Sequence, residues 1–221
     1  MALKKKQRKA APPTVPGPKT IILPKPHHSG GKPVMVALSR RKTDRNIGAK
    51  PLSPQMLSDL LWAACGINRR KGPFGFFGLT AASASNSREI RLYAALPEGL
   101  YLYEPGPHQL QLVLSGDLRK LAIGKGQSRM GAQAPVRLIF VVDLDRFKEA
   151  GFQEPGLWDK ERQKAYYYVD TGLIAGNVYI FAASQGLAAW FHNCDRDGLN
   201  KLLGLKPTQM ALFGQTVGYP K

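Results

Sequence analysis

The chain has 221 residues, 43% of them hydrophobic, enough to bury one substantial core and, on size, to make one domain. Its formal net charge of +17 is uneven: the first 50 residues hold 13 of the 32 Lys and Arg but one of the 15 acids, leaving 19 basic and 14 acidic residues beyond. The basicity therefore belongs mainly to a leader that any polyanion would attract, while two cysteines without metal-ligand spacing argue against a disulfide framework or a metal centre and fit a reducing cytoplasm.

Residues 1–33 are rich in Lys, Pro and Gly, with TIILP at 20–24 as their one apolar patch, and are expected to form an extended arm lying on the body or on a partner. Pro12, Pro13, Pro16 and Pro18 occupy the place where a signal peptide needs its apolar region, and no apolar run reaches 18 residues, so neither a signal peptide nor a membrane-spanning helix is predicted. The body, 34–221, opens with a short helix at PVMVALSRR. In PLSPQMLSDLLWAACGI, Ser53 is placed to cap and Pro54 to start a helix whose Met56, Leu57, Leu60, Leu61 and Ala64 recur at helical spacing until Gly66. A loop of Gly and small residues follows, then alternation in EIRLYAAL predicts a strand, and LYLYE and QLQLVL flank PGPH as a hairpin. A helix is expected at GDLRKLAIG and a buried strand at APVRLIFVVDL. In RQKAYYYVDTGLIAGNVYIFAASQGL, Gly172, Gly176 and Gly186 suggest close packing or interruptions of a helix. A short helix at LNKLLGL and a strand at MALFGQTVGYP close the chain, giving an α+β arrangement with a mixed sheet flanked by helices.

No P-loop occurs, and the glycines of GKGQSRMG and PFGFFG lack the strand-to-helix context of a dinucleotide fingerprint. His27, His28 and His108 are assigned solvated or structural roles, and no metal-binding set or Ser/His/Asp arrangement stands out. The cluster ALSRRKTDRN, 37–46, has two readings that composition leaves open. It is either a solvated helix end continuing the basic arm or a site where Arg41, Lys42, Thr43 and Arg45 converge on one phosphate. Phe74, Phe76 and Phe77 similarly read as packing or as the wall of an aromatic site.

The order of motifs adds to this. The run from IILPKP through RKTDRNI to LLWAACGI resembles the N-terminal part of the FMN-dependent nitroreductase superfamily, nearest its SagB-type, azoline-oxidase-like branch. ASASNS at 82–87, GLYLYEPGPHQL, GQSRMGAQAP, DTGLIAGNVYIFAASQGL and the terminal VGYP continue the likeness over about residues 20–221. The resemblance implies a nitroreductase-like homodimer with FMN at the subunit interface. It would take electrons from NAD(P)H and pass them to a nitroaromatic, a quinone or a similar small conjugated acceptor. It further implies that Arg41, Lys42 and Thr43 contact the FMN phosphate and ribityl chain and that Arg45 approaches the pyrimidine edge of the ring; the Lys/Arg pair that many members carry beyond the GYP-like strand has no counterpart in this sequence, which leaves Arg129 and Lys221 as the further phosphate cations expected. Ser83, Ser85 and Asn86 would come from the other subunit, Gln127 would touch the ring, and the backbone at Phe191, His192 and Asn193 would face N5. No catalytic side chain is singled out. The alternative from another class is a basic-armed protein that binds nucleic acid or an acidic partner on a non-catalytic version of the same fold.

Overall fold

The longest buried run of the sequence, VRLIFVVD, is the strand around which the other elements are arranged. In the computed structural model of the protein, which describes residues 19–72, 75–127, 131 and 133–221, it forms β7 (Val136–Asp143), buried along its whole length. Alternate side chains point to opposite faces of a strand. Val136, Leu138 and Phe140 meet one layer of helices, Ile139 and Val141 another.

Chain order runs β1 (Thr20–Ile22), α1 (Val34–Arg40), α2 (Pro54–Cys65), and a two-stranded ribbon of β2 (Ile67–Arg69) with β3 (Gly78–Leu79). Then come β4 (Ile90–Leu96), β5 (Gly99–Glu104), β6 (Gln109–Ser115), β7, α3 (Lys160–Gln185), β8 (Ala188–His192), α4 (Arg196–Leu202) and β9 (Gln209–Gly218). The main sheet has the order β1-β6-β5-β4-β7-β9-β8. Leu57, Leu60, Leu61 and Ala64 of α2 and Ile174, Ala175, Val178 and Ala182 of α3 cover one face. Leu199 of α4 and Ala122 cover the other.

Three expectations are corrected. The sheet is antiparallel at every pairing among the described residues, and is not mixed. β7 and β8 do run in the same direction, as the two ends of a crossover through α3, but β9 inserts between them. GDLRKLAIG makes only a single 3-10 turn, Arg119–Ala122. The Arg119 carbonyl, which an α-helix would use for residue 123, accepts instead from the buried guanidinium of Arg137 at 2.6 Å. Helix α3 is one continuous helix of 26 residues: a Cβ at Gly172 or Gly176 would meet nothing within 4 Å, so these glycines mark an open face. Gly186, at φ 72, takes the left-handed conformation that ends the helix.

Of the arm, residues 19–33 lie on the body, whereas its first 18 residues fall outside the described residues, as do Phe74 and Arg129. β1 adds an edge strand beside β6, the Lys25 carbonyl accepts from Gln55, and Lys32 and Ser184 exchange hydrogen bonds. His108 has the structural role expected of it. Ser58 Oγ donates to the Pro24 carbonyl (2.5 Å), so its oxygen must accept from His108 Nε2 (2.7 Å), which leaves Nδ1 to accept from the Tyr103 hydroxyl (2.9 Å). One neutral imidazole thereby ties the hairpin to α2 and, through Ser58, to the arm, and burial holds its pKa below the usual value.

Leu61 is fully buried between α2 and the sheet. Leu61→Ala should lower the unfolding free energy by about 3 kcal/mol in urea titrations followed by circular dichroism, with the native spectrum kept.

Candidate functional site

The basic segment after α1 runs along the open edge of β8. Arg41 closes the helix with its amide on the Ala37 carbonyl, and the chain then extends so that the Asp44 amide donates to the Ala189 carbonyl at 2.9 Å. Ile47 bridges to Pro220, with the Gly48 amide on the Tyr219 carbonyl and the Lys221 amide on that of Asn46. Tyr179 of α3 fixes the middle of the segment: its hydroxyl accepts from the Phe191 amide at 2.8 Å and lies 3.0 Å from Thr43 Oγ1. The Arg41 guanidinium stands 5.5 Å from the centre of the Tyr179 ring and that of Arg45 5.2 Å from Trp190. Lys42 pairs with Asp44 at 3.1 Å, and the Asn46 amide on Asp44 holds that carboxyl below its usual pKa. Among the described residues, Arg41 and Arg45 have no carboxylate partner, which leaves both forks available to an anion.

Farther along β8, the Asn193 carbonyl accepts from the Gly124 amide and from His192 Nδ1, both at 2.8 Å. Nδ1 therefore carries the proton, and Nε2 accepts from the Thr216 hydroxyl at 2.8 Å. Burial pushes the His192 pKa down to about 4, so the ring is neutral and wholly occupied inside the protein. Only the backbone at 192 and 193 and the exposed Asn193 side chain are left for a ligand. Gln127 lies in the adjoining turn, its amide on the Gly124 carbonyl, and its side-chain oxygen is buried without a hydrogen-bond partner among the described residues. An orphaned acceptor of this kind, unusual in a folded interior, suits a ligand N–H.

Ser83, Ser85 and Asn86 belong to a second set. Their loop is strained, with Ser85, Asn86 and Arg88 at φ 51, 54 and 52, a region that costs most residues on the order of 1 kcal/mol or more each. It is held by the Ala84 amide on Asp170 Oδ2 (2.9 Å), the Arg88 amide on Ser83 Oγ (3.0 Å) and the Phe152 amide on the Ser85 carbonyl (3.1 Å). Behind it the buried Glu89 carboxyl meets Ser87 Oγ at 2.6 Å and shares a hydrogen bond with the Asp170 carboxylate. Burial first, and then the neighbouring Asp170 carboxylate, push the Glu89 pKa up to about 8, so Glu89 is held as a neutral acid at pH 7. The loop borders a cleft of about 490 Å³ together with Phe76, Phe77 and Phe152.

The ten sequence-predicted residues thus fall into two groups. Arg41, Lys42, Thr43, Arg45, Gln127, His192 and Asn193 gather around β8; Ser83, Ser85 and Asn86 lie elsewhere. Both groups are anchored on α3, one at Tyr179 and one at Asp170. These are nine residues apart, about 14 Å along a helix axis. Sequence reading missed Tyr179 and the Glu89–Asp170 pair. The one signal available for the pair was an acid standing directly before the buried strand IRLYAAL.

The model of the nitroreductase family matches residues 38–219. The crystal structure of a candidate nitroreductase from Ralstonia eutropha JMP134 superposes with a TM-score of 0.80 at 31% identity, covering 97% of this chain and 96% of that one. A candidate nitroreductase of Methanocaldococcus jannaschii is 28% identical over 159 residues, which are 68% of this chain and 73% of that protein. A chain of the E. coli microcin synthetase complex has the same fold at 16% identity, with a TM-score of 0.65 over 91% of this chain and 78% of its own.

Because Glu89 is protonated in the fold well above the pH at which it ionises in the unfolded chain, the native state binds the extra proton between about pH 4.5 and 8. Its contribution to stability should therefore fall as pH rises through that window. Thermal melts of Glu89→Gln should show this component removed: relative to the parent, the variant gains several degrees in Tm at pH 8 compared with pH 5.

Proposed function

The chain belongs to the nitroreductase family, and we propose that within it the protein is an FMN-dependent oxidoreductase of the SagB-like branch. It works as a homodimer, taking hydride from NAD(P)H and reducing a nitroaromatic, a quinone or another conjugated acceptor. The observation that carries this reading is the pair of acid-free guanidiniums, Arg41 and Arg45, brought to the edge of β8 beside the Thr43 hydroxyl and the orphaned Gln127 oxygen. Flavin mononucleotide asks for this mixture: cations for a phosphate and for a ring edge that becomes anionic on reduction, a hydroxyl for the ribityl chain, and an acceptor for a ring N–H.

When bound, FMN supplies the hydride and electron transfer. The chain's own residues bind and tune it. Arg41, Lys42, Thr43 and Lys221 hold the phosphate end. Arg45, kept in place over Trp190, stabilises negative charge at the pyrimidine edge, which makes reduction easier. The neutral ring of His192 keeps the turn into Asn193 rigid, so that the backbone there presents a fixed wall to the ring.

A second copy accounts for the other group of residues. The outward face of α3 carries Val169 (60% exposed) and Leu173 (43%) beside the bare Gly172 and Gly176, an apolar surface whose glycines permit close approach of another helix. Pairing there would bring the partner's loop, the equivalent of Ser83–Asn86, to the β8 site and complete it.

Titration of the purified protein with FMN should give a yellow complex with the absorbance of bound flavin. Arg41→Ala and Arg45→Ala should each weaken FMN binding by about ten-fold or more. Arg40→Ala, in the last turn of α1, should stay close to the parent. A protein with no affinity for FMN, or equal effects at all three positions, would overturn the assignment.

A further inference from the structure

The cleft beside Ser83–Asn86 has a chemistry of its own that the flavin reading does not use. From Gly66 to Arg88 the sequence contains Arg69, Arg70, Lys71 and Arg88 and no acid. Arg69 stands directly across the β2–β3 ribbon from Gly78, and both line the cleft. A Cβ built on Gly78 would fall 2.7 Å from Arg69 Cζ, so the guanidinium lies against the bare backbone of its cross-strand neighbour, in space that only glycine leaves open. Among the described residues the Arg69 guanidinium makes no ion pair and no hydrogen bond: the salt bridges of this region are Arg146–Glu149 and Arg91–Asp143, and Arg88 is used by the Asn86 carbonyl and the Phe77 ring. Around this free fork the walls are aromatic. Phe76 (37% exposed) turns ring surface to the solvent, Phe152 lines the same cleft, and Phe77 is backed by Arg88 at 4.4 Å from its ring centre.

We propose that this cleft binds the electron acceptor and selects planar aromatic carboxylates, with Phe76, Phe77 and Phe152 packing on the ring and Arg69 pairing with the carboxylate. The size suits a single substituted aromatic ring: about 490 Å³ lies at the lower end of small-molecule pockets. A guanidinium matches a carboxylate through two parallel hydrogen bonds, which a neutral amide of the same shape cannot reproduce. Arg69 is therefore a specificity residue and takes no part in electron transfer. The inference rests on the proposed flavin chemistry for its role in turnover, because the same loop residues, Ser83, Ser85 and Asn86, border both the cleft and the partner's flavin site.

The test compares 4-nitrobenzoate with the isosteric, neutral 4-nitrobenzamide on the full chain loaded with FMN. Calorimetry gives their affinities, and oxidation of NAD(P)H gives kcat/KM for each. The parent should favour the benzoate by about ten-fold or more in both measurements. Arg69→Gln should bring both ratios close to unity, and Gly78→Ala, which displaces the guanidinium, should do the same while leaving its charge in place. Equal handling of the two compounds by the parent, or a preference that survives in Arg69→Gln, overturns the proposal. Failure of the flavin reading would look different: neither compound would be reduced and no flavin would be retained. Calorimetric binding of 4-nitrobenzoate and its dependence on Arg69 would still decide what the cleft takes.

Discussion

The hydroxyl of Tyr179 is the point at which helix, sheet edge and basic segment meet. An edge strand presents amides and carbonyls that need partners, and on β8 two of them are satisfied from outside the sheet: the Phe191 amide by Tyr179 and the Ala189 carbonyl by the Asp44 amide. The same hydroxyl stands against Thr43, and the same ring lies beneath Arg41. Capping the edge and positioning the cations are therefore one operation. The segment that protects β8 is the segment that carries the charges, and its geometry follows from α3 being long and straight enough to reach from the Asp170 loop to the end of the arm at Ser184.

What the sequence reveals divides along the range of the interactions concerned. Helix α2, the hairpin of β5 and β6, and the buried β7 are set by spacing and turn residues within each segment, and they lie where the pattern puts them. The errors arise where a distant residue intervenes. Arg137 takes the carbonyl that would have extended the turn at 119–122, and β9, last in sequence, inserts between two strands of like direction. The glycines of α3 look like breaks because a sequence does not show which face is left uncovered. The site divides in the same way. The density of Arg and Lys at 40–45 is plain to read, but its anchor is 136 residues away, and Ala84 and the acid that holds it are separated by 86.

Two kinds of cost are concentrated at the loop before β4. Three residues in left-handed conformations and a buried acid set against a second carboxylate stand within five positions of one another. Strain and buried polarity of this sort persist where the surrounding structure holds them fast, and here they hold Ser83, Ser85 and Asn86 in one conformation at the rim of the cleft. A ligand arriving there meets side chains already ordered, so less conformational entropy is lost on binding.

The arm bears on how the molecule assembles. Its first contact, at β1, needs β6; its second needs Ser58 and His108 already brought together; its third needs Ser184 at the far end of α3. The partners of Thr20 and Lys32 lie 91 and 152 residues downstream. Contacts of such separation carry a high closure entropy and gain nothing until the surfaces they join exist. Residues 19–33 consequently cannot finish closing on the body until α3 is complete, and residues 46–48, whose partners are Tyr219, Pro220 and Lys221, must wait longer still.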